Sequence, residues 1–501
     1  MTLVAGAERI RGGAMGLFIT NDLLPRAISL AGGMGMTSVE GIDHIVARLL
    51  QRGDPTNSIL RTVDEFEDRF DAHELSDYVR SLYVPGGIPK GQPFRQLPMF
   101  GTNPDKRIEG LNVFAGYWIV RAAKMGRYLK GPEVKIAANK LEEVQTTVMA
   151  VTFGEMLADV DEIEISAGLP FQMRENIRKL CALESVNYNL DVHHGTDEKS
   201  EQFKRHVVRF NPRKHIGRLD HELKEPRITG VASSNIAARV LTDQNRHPNA
   251  IDQLKIELPQ KTGGHSTKPR KIDYNERGEY KYGPKDEIDL ELVRGLTGKM
   301  GIPFTLAGGF STPEAVKEAI ELGAQSATVA TPFQYCEESG LPQNVKRAII
   351  NQILKGNMDV FIDPKISPTY YAFRVDRNIE GVPSIGDVDI YEDWSANHRS
   401  CTIGRLRERT THKGRLTWIC KAEPVEDYLR KGGKIEDTVG AGCLCENLLS
   451  AVDLGQTHKD GYEVPPLYSS GTEVSFLPRI LNGRKSYTAK NVVEFLVSGL
   501  R

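Results

Sequence analysis

Along this chain short apolar runs alternate with longer stretches in which apolar residues recur every three or four positions. The first spacing is that of a buried strand, the second that of a helix with one apolar face. The clearest unit starts at Pro303. Residues 303–307 predict a strand, and Gly308-Gly309 a turn that lets the backbone approach a ligand with no β-carbon in the way. Ser311 and Glu314 have the spacing of a capping box, with Pro313 in the first turn. Ala315, Val316, Ala319 and Ile320 share one helix face, and Gly323 is a stop signal. The next strand ends at Ala330-Thr331, whose amides are placed to close on the same phosphate as the glycine turn. Two consecutive strands with such ends suggest the phosphate-binding corner of a (β/α)8 barrel. An ordinary βαβ unit with a tight turn is the alternative.

The same alternation runs through most of the chain. Residues 9–16 predict a strand running into a glycine loop, 23–30 a helix and 34–37 a second strand. Residues 43–130 read as amphipathic helices and loops, too long for a simple barrel connection, and so as a helical insertion. Further strands are expected at 134–138, 162–166, 189–192, 227–231 and 254–257, with a helix over 144–157. The count of about eight strands wrapped by helices gives an α/β fold, a TIM (β/α)8 barrel over residues 1–345. From 346 to 501 the pattern changes to polar, Pro- and Gly-punctuated segments, read as an irregular α-rich C-terminal extension.

Composition narrows the setting. The formal net charge is −1, so no global field argues for nucleic acid or an anionic membrane. Glu8 and Arg11 interrupt the N-terminal apolar residues, and Glu155 and Asp159 interrupt the apolar run 148–160. Neither a secretory signal nor a membrane span is expected, which points to a cytoplasmic protein. A homodimer is the default expectation for a soluble enzyme.

Three features carry candidate chemistry. Gly263-Gly264-His265 follows the strand at 254–257, which places His265 on the catalytic face of a barrel, and its glycines would let the loop pass close to a flat cofactor. A histidine near neutrality can take a proton or donate a hydrogen bond to a developing oxyanion; a solvent-facing loop histidine is the other reading. Asn139 stands at a strand end, as a polar contact to a cofactor ring or as a turn residue. Cys401, Cys420, Cys443 and Cys445 crowd into one short part of the extension. They read as ligands for zinc or an iron–sulfur cluster, or as free thiols.

The ordered set Gly12-Gly13-Ala14-Met15-Gly16, Ala31-Gly32-Gly33-Met34-Gly35, Gly263-Gly264-His265, Leu306-Ala307-Gly308-Gly309 and Ala330-Thr331-Pro332-Phe333 resembles the nitronate monooxygenase (2-nitropropane dioxygenase-like) flavoproteins over roughly residues 9–375. The chain as a whole resembles a longer bacterial subgroup of that family. The resemblance implies FMN at the C-terminal face of the barrel. Gly308 and Gly309 would hold its phosphate, with Ala330 and Thr331 completing the cradle. Gly13 and Met15 would lie against the flavin, Gly264 beside it, and Asn139 at its ring. His265 matches the family's catalytic histidine. The implied activity is oxidation of a carbon acid or nitronate. The chain is also similar to the FMN-dependent enoyl-ACP reductases, which implies the alternative of an enoyl reductase or acyl dehydrogenase/isomerase working on an acyl thioester presented by an acyl-carrier protein. Three departures stand out: Ala14 intervenes in a first loop that usually reads Gly-Gly-Met, Ala330 replaces the usual glycine, and Ser266-Thr267-Lys268-Pro269 follows His265 where the family often has a small or basic residue and then glycine.

Overall fold

The computed structural model describes residues 3–192, 206–413 and 415–500. Its framework is eight strands: β1 (Ile10–Gly12), β2 (Gly35–Ser38), β3 (Ile136–Leu141), β4 (Glu162–Ser166), β5 (Arg227–Ala232), β6 (Gln253–Glu257), β7 (Phe304–Ala307) and β8 (Ser326–Val329). Each strand from β2 to β8 pairs in parallel with the next, and β8 pairs with β1. A parallel bridge between Arg11 and Met34 closes the ring, with Gly12 N–H donating to Met34 O and Met34 N–H to Ile10 O. A helix follows every strand, so the sheet is a closed (β/α)8 barrel.

The barrel interior is unusually polar. The Arg11 guanidinium pairs with Glu162, which also accepts from Thr229 Oγ1 at 2.6 Å. Lys255 Nζ meets Glu164 Oε1 at 2.9 Å. All four ionic side chains are nearly or fully buried, and such charges persist only when paired. Asn139, expected at a strand end, lies inside β3 instead. Its Nδ2 donates to Glu164 Oε1 at 3.0 Å and to Ser166 Oγ at 3.3 Å.

Local signals hold to within a few residues. The helix Leu23–Leu30 starts and stops where its spacing predicts. The helix expected from 144 begins at Val148. The helix cap after Gly308-Gly309 shifts by one residue: Thr312, not Ser311, accepts from Ala315 N–H ahead of the helix Pro313–Glu321, and Glu314 pairs with Arg479 instead. Gly323, at φ +93°, ends that helix as expected. The expected strand 189–192 lies earlier, as Val186–Asn189, and pairs antiparallel with Val207–Phe210 outside the barrel. The insertion supplies the helices Ile42–Gln51, Ser58–Phe70 and His73–Ser81. The helix Lys106–Met125 that follows packs against Val148–Leu157.

The extension holds more β-structure than its punctuation suggests. Asp359–Asp363 and Ala372–Arg377 form one hairpin, Glu408–His412 and Arg415–Ile419 another. The first hairpin gains a third strand from the barrel, because His265–Ser266 pairs antiparallel with Ala372–Phe373. Phe373, Val375, Trp394, Leu444 and Leu467 build a separate core around it. The last helix, Ala489–Val497, belongs to the barrel core and packs against Leu23–Leu30 and Pro313–Glu321. Among the described residues no helix is long and apolar enough to cross a membrane.

Candidate active site

The loops after β1, β6, β7 and β8 meet in one cavity of about 470 Å³. Gly13, Met15, Asn139, Gly264, His265, Gly308, Gly309, Ala330 and Thr331 all line it. Residues scattered over most of the chain thus share one surface, at the end of the barrel where the strands finish.

Local sterics explain the glycines. Gly308 and Gly309 sit at φ +93° and +84°, where side chains are strained. A β-carbon on Gly308 would lie 2.9 Å from Leu258 O, and one on Gly309 would lie 2.5 Å from Lys261 Cδ. The Lys261 chain therefore lies across the glycine turn. Gly13 donates its N–H to Val329 O at 2.7 Å, and a β-carbon there would come within 2.9 Å of the Ala330 methyl. That methyl lies against Gly13, so alanine is accommodated where glycine is usual. Met15 is buried at the same edge.

One residue of this corner went unread in the sequence. Gln334, in the short helix Thr331–Gln334, lines the cavity and is 2 % exposed, yet its Nε2 has no hydrogen-bond partner. A buried amide donor without an acceptor is costly. Its position, on the strand–helix turn carrying Ala330 and Thr331, is the signal that could have found it.

The His265 loop is held by the extension. Gly264, at φ +69°, donates its N–H to Ser469 Oγ at 2.9 Å and accepts from Arg374 N–H at 2.9 Å. Gly263 has no room for a side chain, since a β-carbon would stand 2.9 Å from the Ser470 carbonyl carbon. The guanidinium of Arg374, 1 % exposed, donates to the carbonyls of Thr262, Gln260 and Pro259. Gly471 N–H donates to Thr331 Oγ1 at 2.9 Å, tying the extension to the β8 turn.

The His265 ring stands edge-on to Phe373 at 5.0 Å and to Tyr371 at 5.7 Å. Burial lowers its pKa to about 4, so the imidazole is neutral at physiological pH. Burial also pushes the Tyr371 hydroxyl up to about 12, which keeps that residue a hydrogen donor. Desolvation raises Glu40, which lines the cavity, to about 7. The extension adds Ile403, Leu406, Leu444, Leu448 and Leu449 to the lining, with Arg405 and Cys445 among them.

The cysteines need a correction. Cys401, Cys420, Cys443 and Cys445 are unpaired, and each lies within electrostatic reach of at least one other. Among the described residues, however, no group of three or more His, Cys, Asp or Glu side chains is arranged to hold a metal ion. Burial and the neighbouring thiols push the Cys401 thiol up to about 11 and raise the others as well. Several pack with Leu406 and Leu444. Clustering in sequence here reflects shared packing, and neither zinc nor an iron–sulfur cluster finds support.

No protein-family model matches the chain, and no curated protein does. Among solved structures it is similar to FabK from Thermotoga maritima, at 14% identity over 98% of this chain and 92% of that one, with a TM-score of 0.46. The enoyl reductase domain of MlnA from the macrolactin biosynthesis cluster of Bacillus amyloliquefaciens matches at 12% identity over 98% and 94%, with a TM-score of 0.45. A nitroalkane oxidase from Streptomyces ansochromogenes matches at 16% identity over 98% and 95%, with a TM-score of 0.40.

Proposed function

We propose that this protein is an FMN-dependent oxidoreductase, and that its substrate is an α,β-unsaturated acyl thioester. The observation that carries the flavin reading is the convergence of the Gly13–Met15, Gly308–Gly309 and Ala330–Thr331 turns on one cavity with a neutral His265. The residues fit the cofactor. The partnerless Nε2 of Gln334 supplies a donor at the phosphate corner, and the two positive-φ glycines leave the backbone bare there. The helix Pro313–Glu321 begins just beyond them, and a helix N-terminus favours an anion. Gly308, Gly309, Thr331 and Gln334 would hold the phosphate; Gly13, Met15 and Gly264 would flank the ring system, and Asn139 would meet its polar edge.

When bound, FMN supplies hydride transfer between a nicotinamide and the substrate's β-carbon. The chain's own residues then have three tasks. The apolar lining of Ile403, Leu406, Leu444 and Leu448 receives an acyl chain and excludes water. The neutral imidazole of His265 donates a hydrogen bond to the thioester oxygen as negative charge builds on it. The proton taken up at the α-carbon to balance the hydride comes from solvent, and an acyl-carrier protein delivers the thioester. A nitronate would be bound by the same donor, so oxidation of a nitronate or carbon acid is the second reading. The apolar residues that the extension adds to the lining support the thioester reading.

Anaerobic mixing of the flavin-loaded protein with NADPH or NADH tests this. Bleaching of the flavin, followed by reoxidation on adding an enoyl thioester, is the expected result. Silence with nicotinamides together with flavin reduction by a nitronate would overturn the thioester reading in favour of the second.

A further inference from the structure

One hydroxyl of the extension reaches His265, and a second stands behind it. Ser367 Oγ lies 3.3 Å from His265 Nε2 and 2.8 Å from Thr369 Oγ1. Thr369 N–H donates to Ser367 Oγ at 3.2 Å, and Tyr371 N–H donates to Thr369 Oγ1 at 3.3 Å. Ser367 and Thr369 are each 4 % exposed, so their protons must be used within the protein.

Counting protons gives the chain a direction. A hydroxyl has one hydrogen and two acceptor sites. If Thr369 O–H donates to Ser367 Oγ, that oxygen accepts twice, and its own hydrogen is left for His265 Nε2. Every hydroxyl proton is then placed. In the reverse direction Nε2–H donates to Ser367 and Ser367 to Thr369, and the Thr369 proton finds no acceptor among the described residues. Such an orphaned buried donor is disfavoured.

We propose that Ser367 and Thr369 are positioning residues that fix His265 as the Nδ1–H tautomer, leaving Nδ1–H as the donor offered to substrate. No described residue accepts a hydrogen bond from Nδ1. The consequence is chemical. A ring with Nε2 capped and Nδ1 protonated has no free lone pair, so His265 acts as an oxyanion donor and not as a base toward a C–H bond. Nitrogen shifts are set by the site's own hydrogen bonds, so the tautomer is measurable whether or not the thioester reading holds.

The test is 15N NMR of the full chain carrying labelled histidine, with the His265 signals assigned by their loss in His265→Gln. The expected spectrum shows a protonated Nδ1 and an unprotonated, hydrogen-bonded Nε2 between pH 6 and 8. Ser367→Ala should give mixed tautomers and an imidazole pKa moved upward, with kcat/KM for the substrate lowered about tenfold. Ser367→Thr, which keeps the hydroxyl, should restore the spectrum. Thr369→Val, which removes only the first proton of the relay, should give a partial version of the same change. A protonated Nε2 in the unaltered protein overturns the proposal, and so does an unchanged tautomer in a folded Ser367→Ala.

Discussion

The two sides of the cavity are built by different means. On the barrel side each residue is placed by its immediate neighbours in sequence: Gly308 and Gly309 follow β7 at positive φ, and Thr331 and Gln334 follow β8. On the extension side placement comes from residues far along the chain. Arg374 spans to the carbonyls of Pro259, Gln260 and Thr262, and Ser367 reaches His265. On the proposed reading the barrel side has a constant task, holding a phosphate. The extension side shapes and orients whatever reacts above it.

The comparison can be broken by substitutions that should affect one side and spare the other. The largest effect belongs to His265→Ala. It should keep its flavin and lose about a hundred- to ten-thousandfold in kcat/KM, read by steady-state kinetics beside the bound-flavin absorbance. Loss of flavin together with activity would merge the two sides.

Arg374→Leu comes next. It leaves three loop carbonyls without their donor inside a buried site, and should cost about 3 kcal/mol in chemical denaturation. The barrel-side contacts are untouched, so FMN affinity should fall much less than turnover. An Arg374→Leu protein of normal stability would show that the clamp is ornamental.

Gln334→Leu is the barrel-side counterpart. Removing this partnerless buried donor should weaken FMN binding about tenfold, equivalent to about 1.4 kcal/mol. It should leave the unliganded protein as stable as before or more so, because the orphaned amide is gone. Fluorescence titration and thermal unfolding without FMN separate the two effects.

The last prediction sharpens the extension side. Asp376 accepts from Ser470 N–H and Oγ, while its Oδ2 is buried without a partner. Burial raises its carboxyl from 3.8 to about 7. The folded protein keeps that proton while the unfolded chain releases it near 3.8, so stability from this group is full at low pH and declines as pH rises toward 7. Denaturation at several pH values should show that slope in the natural chain and a flatter one in Asp376→Asn.

The same contrast explains what the sequence reveals. The barrel was legible because each strand and its turn carry a local signature: an apolar run, a glycine forced by φ or by a close backbone, and a helix cap. Even the error at Ser311 is a single-residue shift to Thr312. The cavity's cofactor side followed from those turns. Arg374, Ser367 and Thr369 were illegible because nothing in the pattern of 359–377 shows that this hairpin adds the His265 segment as a strand. Gln334 looked like any helix polar residue until its burial was known. The cysteines misled for the converse reason, since closeness in sequence imitates a ligand set that the packing does not build.

The central claim is that the glycine turns after β7 and β8 hold the phosphate of a flavin, and one titration tests it most directly. Flavin-free protein is titrated with FMN and, in parallel, with riboflavin, which carries the same ring system without the phosphate. The account predicts about one FMN per chain, and riboflavin binding at least about a hundredfold weaker because the charge-assisted contacts at the phosphate are gone. Equal affinity for the two, or no binding of either, would contradict it.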